Sequence, residues 1–371
     1  MIIGIDGNEA NVPEKVGVAV YTLELLRYFS NQASKNLQFV VYLRGKPLAD
    51  LPNESHYFKY KIIRAPRLWR DIVFPFYLYA HPHIDLLFCP AHYSPRFCPV
   101  PIVVTVHDVS YAYFKNEFLK EDLHKLTDWT RHAVAHAKKV IAVSHSTRKD
   151  ILKNYEISAS KVTVIHNGFD KSESSYHDKE GTFSIPKSPY ILYVGTVQPR
   201  KNIQVLLEAY KKLLKAHPHY KLVIVGKMGW LFGDIFEKVL EMGLEDKVIF
   251  TGYVSNIQLA SLYKKAACFV FPSLYEGFGI PLLEAMSYKC PVIASTAASL
   301  PEVGGDACLY FDPHDPNQLA KKIVEIIESD DLRKTWVKKG LERVKQFSWE
   351  KSARETLKTL VQACHSIEKI V

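Results

Sequence analysis

The 371-residue sequence predicts an α/β protein of two domains, each a parallel sheet covered by helices on both faces. Three observations carry this. The length is about twice that of a common domain. Short apolar runs rich in Val, Ile and Phe alternate with segments of helical period, as expected of strands buried on both faces. Two such runs, Ile2–Asp6 and Tyr190–Val194, each open one half of the chain and lead into a turn.

Taken in order, the strands of the first half are expected at Ile2–Asp6, Phe39–Leu43, Leu86–Phe88, Ile102–Val106, Val140–Val143 and Val162–Ile165. Those of the second half are expected at Tyr190–Val194, Leu222–Val225, Val248–Phe250, Cys268–Phe271 and Val292–Ala294. Each run is too short for a helix. Between them, Gln204–Lys215 and Gln318–Ile327 set their leucines and isoleucines on one side of a helix. Lys171–Pro189 has few apolar residues and reads as a linker or surface loop. The expected domains are therefore residues 1–180 and 186–350, with a terminal segment at 351–371.

Composition narrows the function. Hydrophobic residues make up 47% and charged residues 23%, so a chain of this length forms its core without staples. Its six cysteines are scattered and read as reduced, buried small hydrophobes, which fits a cytoplasmic compartment. The N-terminus has no signal-peptide pattern, and no run is long enough to span a membrane. Residues 1–180 carry a net charge of +4 and the rest +5, so no separate basic domain suggests nucleic-acid binding. The spread charge suits phosphorylated ligands or an anionic lipid surface.

Ligands of open α/β sheets sit beyond the carboxyl ends of the strands, so the residues following each run are the candidates. After Cys268–Phe271 comes Pro-Ser-Leu-Tyr-Glu276-Gly277-Phe278-Gly279-Ile280-Pro-Leu-Leu-Glu284. Glycines allow close backbone approach, and a helix start offers N–H groups to a diphosphate. The carboxylates of Glu276 and Glu284 suit sugar hydroxyls, although acids near a helix start also arise for dipole reasons alone.

This segment resembles the Glu-x7-Glu signature of the family-4 retaining glycosyltransferases (group 1, mannosyltransferase-like), and the likeness runs through nearly the whole chain. The resemblance implies a GT-B fold, two Rossmann-like domains facing across a cleft, the first for the acceptor and the second for the nucleotide sugar. It implies that a terminal helix, opened by Ser348-Trp349, returns to the first domain. It places Glu276 beside the transferred sugar, Glu284 on the ribose, and the backbone of Gly277, Phe278, Gly279 and Ile280 against sugar and phosphates.

Further stretches resemble the same family. In Gly195-Thr-Val-Gln198-Pro-Arg200-Lys201-Asn202, two adjacent cations at a strand end suit a diphosphate leaving group; the family often has Glu where Gln198 stands. His107, in His107-Asp108, corresponds to an imidazole that touches the donor sugar. Gly17 opens the first helix in a loop that closes over the diphosphate, with Ala19 where a second glycine is frequent. Gly226-Lys227-Met228-Gly229-Trp230 resembles a nucleotide-contacting turn. Thr251-Gly252-Tyr253-Val254 resembles a base-reading segment. The basic stretch Lys59–Arg70 and the aromatic Phe74–Tyr79 are either a lipid-headgroup dock or a solvated loop beside a buried strand.

The expected activity is transfer of a hexose from a nucleotide diphosphate sugar, with Arg200 and Lys201 in place of a metal and no cofactor. The resemblance implies front-face retention, with the leaving phosphate helping to deprotonate the acceptor hydroxyl and with His107 and Glu276 holding the sugar. GDP-mannose is the first expectation for the donor, UDP-sugars the alternative; the acceptor is a saccharide or lipid-linked saccharide of a surface polysaccharide. A non-catalytic scaffold of the same fold is the other reading. A nicotinamide enzyme is disfavoured because Asp6-Gly7-Asn8-Glu9 lacks the Gly-x-Gly-x-x-Gly turn.

Overall fold

The computed structural model describes residues 1–65, 68–170, 185–227, 229 and 233–365. Along the chain run β1 (Ile2–Asp6), α1 (Val18–Gln32), β2 (Gln38–Leu43), β3 (Phe58–Ile62), α2 (Phe74–Ala80), β4 (Leu86–Cys89), β5 (Ile102–Val106), α3 (Lys120–His136), β6 (Lys139–Ala142), α4 (His145–Asn154) and β7 (Val162–Val164). There follow β8 (Tyr190–Val194), α5 (Ile203–Leu213), β9 (Lys221–Val225), α6 (Gly233–Glu241), β10 (Val248–Gly252), α7 (Asn256–Lys265) and β11 (Cys268–Phe271). The last are α8 (Ile280–Ser287), β12 (Val292–Ser295), α9 (Leu300–Gly304), β13 (Cys308–Phe311), α10 (Pro316–Ile327), α11 (Asp330–Val344) and α12 (Trp349–His365).

These form two compact units, Met1–Gly168 with Ser348–Val371, and Phe169–Phe347. The first holds a seven-stranded sheet of order β3-β2-β1-β4-β5-β6-β7, the second a six-stranded sheet of order β10-β9-β8-β11-β12-β13. Every pairing is parallel. Both are Rossmann-like, and both reverse strand order once: between β1 and β4, and between β8 and β11.

The first unit ends at Gly168 rather than near 180, and the chain returns to it at Ser348 rather than 351. The departure and return points touch: a Cβ on Gly168 would lie 2.3 Å from the Trp349 backbone. Glycine is required there by space. From this point α12 packs on α1 and β4 within the same unit. Most of the expected linker, residues 171–184, lies outside the described residues.

Local chemistry explains the elements. β5 and β11 are buried at every position, so their sequences are continuously apolar. α10 starts because Asp315 Oδ1 accepts from the amides of Asn317 and Gln318 at 2.9 and 3.0 Å, with Pro316 in the first turn. The helices expected at 204–215 and 318–327 are α5 and α10.

Sequence periodicity missed β3, an edge strand of which only Phe58 is buried while Lys59, Lys61 and Ile62 face solvent. Lysines on an edge oppose pairing with another sheet. Phe74–Tyr79 is not a buried strand. It is helical and follows a wide π turn at Trp69–Val73; of α2 only Phe74, Pro75 and Leu78 are buried. Pro66 and Arg67 of the basic stretch lie outside the described residues.

Candidate active site

In the second unit the switch point is framed by the loops after β8 and β11, and these are joined directly. Leu274 donates its amide to the Arg200 carbonyl at 2.8 Å. Arg200 Nη1 donates to the Tyr275 carbonyl at 3.2 Å. Asn202 adopts a left-handed backbone (φ 56°), which asparagine tolerates better than most residues. From there its Nδ2 reaches the carbonyls of Pro272 at 3.1 Å and Pro313 at 2.7 Å. One side chain thus ties the ends of β8, β11 and β13 together.

On this frame lie the expected cations and the first carboxylate. Lys201 Nζ donates to Glu276 Oε1 at 2.5 Å, and Arg200 Nη1 stands 3.9 Å from Glu276 Oε2. All three side chains are less than one-fifth exposed. Lys201 also lies 5.4 Å from the centre of the Phe271 ring. The amide of Gln198 is assigned with its oxygen toward Arg200, because only that orientation sets an acceptor against guanidinium donors, at 3.1 and 3.0 Å from Nε and Nη2. Gln198 therefore orients the guanidinium as a carboxylate would, without cancelling its charge.

Beyond Glu276 the chain turns into α8. Gly279 is the N-cap at φ 107°, and a Cβ there would meet Leu300 at 2.8 Å. Ser299 Oγ lies 2.8 Å from the carbonyls of both Glu276 and Phe278 and holds the loop from beneath. The Phe278 ring packs edge-on against Phe347, 5.7 Å between ring centres. Glu284 lies in the second turn of α8 and accepts from Tyr263 Oη at 3.0 Å. Part of it is accessible, yet the protein packed around its carboxyl raises its pKa above the ordinary value.

The turns after β8, β9 and β10 form a second stitched row. Gly195 donates to Val225, Val197 to Lys227, Gly229 to Val197 and Gly226 to Gly252, all at 2.9–3.0 Å. Gly226 has φ 143°, and a Cβ would lie 2.1 Å from the Gly195 carbonyl oxygen. Only glycine fits. Tyr253 is exposed beside Lys227, whose Nζ lies 5.9 Å from the ring centre. Met228 and Trp230 lie outside the described residues.

The remaining candidates, Gly17 and His107, both lie in the first unit. Gly17 is the N-cap of α1 at φ 50°, with open space where a side chain would stand. One turn later Tyr21 sets its ring edge-on to His107 at 4.8 Å and its hydroxyl 3.1 Å from Thr105 Oγ1. His107 Nε2 lies 2.8 Å from the Pro90 carbonyl; since a carbonyl only accepts, Nε2 carries the proton. Burial lowers the His107 pKa below 6.5, so at neutral pH Nδ1 is an acceptor.

Sequence reasoning missed the supports. Asn202 was visible only as the end of a motif. Ser299 and Tyr263 lie 15 and 21 residues from the carboxylate of Glu284 and had no local signal.

Set against known proteins, residues 16–173 match the model described as Glycosyltransferase Family 4, and residues 177–343 that of Glycosyl transferases group 1. The chain is 34% identical over 262 residues to O-antigen chain mannosyltransferase B of Escherichia coli, covering 69% of this chain and 68% of that protein. Sucrose-phosphate synthase of Thermosynechococcus elongatus superposes with a TM-score of 0.73 at 21% identity, over 98% of this chain and 99% of that one. Anabaena Alr3699/HepE, in complex with UDP and glucose, gives 0.71 at 19%, over 97% and 99%. Two Rossmann-like sheets, a stitched cationic switch point and both family matches lead to one conclusion: this chain is a GT-B glycosyltransferase and belongs to the group 1, family 4 glycosyltransferases.

Proposed function

We propose that the chain transfers a hexose from a nucleotide diphosphate sugar to a saccharide or lipid-linked acceptor, with retention of anomeric configuration and without a metal. The observation that carries this is the Arg200–Lys201–Glu276 group beside the start of α8. Two fixed cations and a helix N-terminus suit a departing diphosphate and do for its charge what a divalent ion would otherwise do. Glu276, already in contact with Lys201, is within reach of a sugar attached to that diphosphate. Glu284, eight residues on, takes the ribose hydroxyls. The row through Gly226 and Tyr253 takes the nucleoside.

Within the first unit, the neutral His107 presents Nδ1 as an acceptor for a hydroxyl, and Gly17 leaves open space at the start of α1. In this reading the leaving phosphate receives the acceptor's proton as the oxocarbenium-like centre is captured from the same face. Mannose from GDP-mannose is the first choice, because the Escherichia coli relative is an O-antigen chain mannosyltransferase. The UDP and glucose in the Anabaena structure favour a UDP-sugar as the second.

The site of action we propose is the cytoplasmic face of the membrane, reached peripherally. Among the described residues no helix is long and apolar enough to cross a membrane. Leu68, Ile72, Phe76 and Tyr79 form an exposed apolar stripe along the π turn and α2, beside exposed Lys59, Lys61 and Arg64. That combination suits an anionic lipid surface.

The experiment is to follow by proton NMR the anomer first released from GDP-α-mannose in EDTA. Release of α-mannose is expected; β-mannose first, or no turnover until a divalent ion is added, overturns the retaining, metal-independent reading.

A further inference from the structure

The guanidinium of Arg200 rests on an amide, where a carboxylate would bind it more strongly. Gln198 is buried, and its side-chain oxygen lies 3.1 Å from Arg200 Nε and 3.0 Å from Nη2. One neutral acceptor thus takes that edge of the fork, while Nη1 donates to the Tyr275 carbonyl at 3.2 Å. The backbone around Gln198 is set in advance. Val197 donates to the Lys227 carbonyl and accepts from the Gly229 amide, each at 3.0 Å. The Gln198 carbonyl accepts from the Lys201 amide at 3.0 Å, and Pro199 opens the short 3-10 turn that carries Arg200 and Lys201.

An amide in place of an acid decides the charge of the group. Arg200 and Lys201 face the carboxylate of Glu276 at 3.9 and 2.5 Å, so two cations stand against one anion. A glutamate at 198 would make the same two contacts and cancel the remaining positive charge. All three charged side chains are less than one-fifth exposed, so solvent screens that charge weakly.

The charge on a sugar diphosphate changes as it reacts. Bound as donor, it carries one negative charge on each phosphorus. When the bond from the sugar carbon to the phosphate oxygen breaks, the electron pair stays on that oxygen. The diphosphate then holds a third negative charge until the acceptor's proton reaches it. An uncancelled positive charge beside it favours the separating state over the bound donor, and a difference of that kind raises kcat.

We propose that Gln198 is the positioning residue of Arg200: it fixes the guanidinium with a neutral acceptor and so keeps a full positive charge for the departing diphosphate. It acts through Arg200 and not on the ligand. The inference rests on the reading of this site as one for a sugar diphosphate.

The test compares two substitutions in the whole chain. Gln198→Glu keeps the shape and both contacts but cancels the charge; Gln198→Met keeps the charge but removes the acceptor. Hydrolysis of GDP-mannose and UDP-glucose, binding of GDP and UDP at low and high salt, and Tm are measured for each. In Gln198→Glu, kcat should fall about 10- to 100-fold while KM for the donor moves less than about three-fold. The nucleoside diphosphate should bind about ten-fold more weakly, with a shallower dependence on salt, and Tm should not fall. Gln198→Met should also lose kcat but keep the salt dependence of the parent, because its charges are unchanged. A residue that only braces the loop would give the reverse order, with Gln198→Glu close to the parent and Gln198→Met worst in kcat and Tm together. That order, or unchanged kcat and nucleotide affinity in Gln198→Glu, overturns the proposal. A parent chain that binds neither GDP nor UDP would instead remove the sugar-diphosphate reading, and the proposal with it.

Discussion

The two sheets share one topology, yet their switch points are built in opposite ways. In the second unit the loops after β8, β9 and β11 are tied to one another through backbone, and Glu276 and Glu284 are each held by a protein partner. In the first unit Arg70 of the π turn links the two sides through its side chain, near Asp6 and Glu9 after β1 and over the Tyr93 ring after β4, and Arg70 Nε, the His92 ring nitrogens and Ser94 Oγ lack hydrogen bonds. A pre-tied frame of backbone suits a ligand part that never changes, such as a diphosphate. A loose set of side chains suits one that differs between relatives.

The largest effect expected to sharpen this contrast is on the rate. Glu276→Gln leaves Lys201 a poorer partner and weakens the hold on the sugar, so turnover of GDP-mannose should fall by about 100- to 1,000-fold. An equal loss from Ser94→Ala in donor hydrolysis without acceptor would break the division of labour.

Next is Gly226→Ala, which sets a Cβ 2.1 Å from the Gly195 oxygen at a φ unsuited to alanine. It should cost about 3 kcal/mol and lower Tm by roughly 6–12 °C, read by calorimetry.

A comparable effect is expected from pH in the first unit. His92 is neutral in both states above pH 6.5. As pH falls from 6.5 towards 4, the unfolded chain takes up a proton that the folded chain refuses, so stability falls across that window and levels off below it. The loss approaches about 3 kcal/mol and should be absent from His92→Gln in urea unfolding at pH 7 and 4.5.

Asn202→Ala should cost about 2 kcal/mol through two lost hydrogen bonds and the left-handed backbone, by the same unfolding measurement. The smallest change, about 1 kcal/mol, is expected for Gly17→Ala, where φ is unfavourable but nothing is struck.

The same contrast explains what was legible in the sequence. Strands buried on both faces announce themselves as apolar runs, so β1, β5, β8 and β11 were readable to the residue. The edge strand β3 alternates Lys with Tyr and was invisible as an apolar run. At the second switch point one loop supplies Arg200 and Lys201 and another supplies Glu276 and Gly279, so contiguous motifs carried the chemistry. The supports from Ser299 and Tyr263 come from other elements and leave no pattern. At the first switch point, Asp6, Glu9, Arg70 and Tyr93 come from three separate segments. No single segment holds enough of that group to read, and only the folded chain brings it together.

The central claim is that the second switch point binds a sugar diphosphate through its own cations. Calorimetric titration of GDP-mannose and UDP-glucose in EDTA, into the parent chain and Lys201→Ala, tests it most directly. One sugar nucleotide should bind the parent without metal, and the substitution should weaken it about 10- to 100-fold, the worth of a charge-assisted contact to phosphate. Binding that needs a divalent ion, or that is unchanged in Lys201→Ala, would contradict the account.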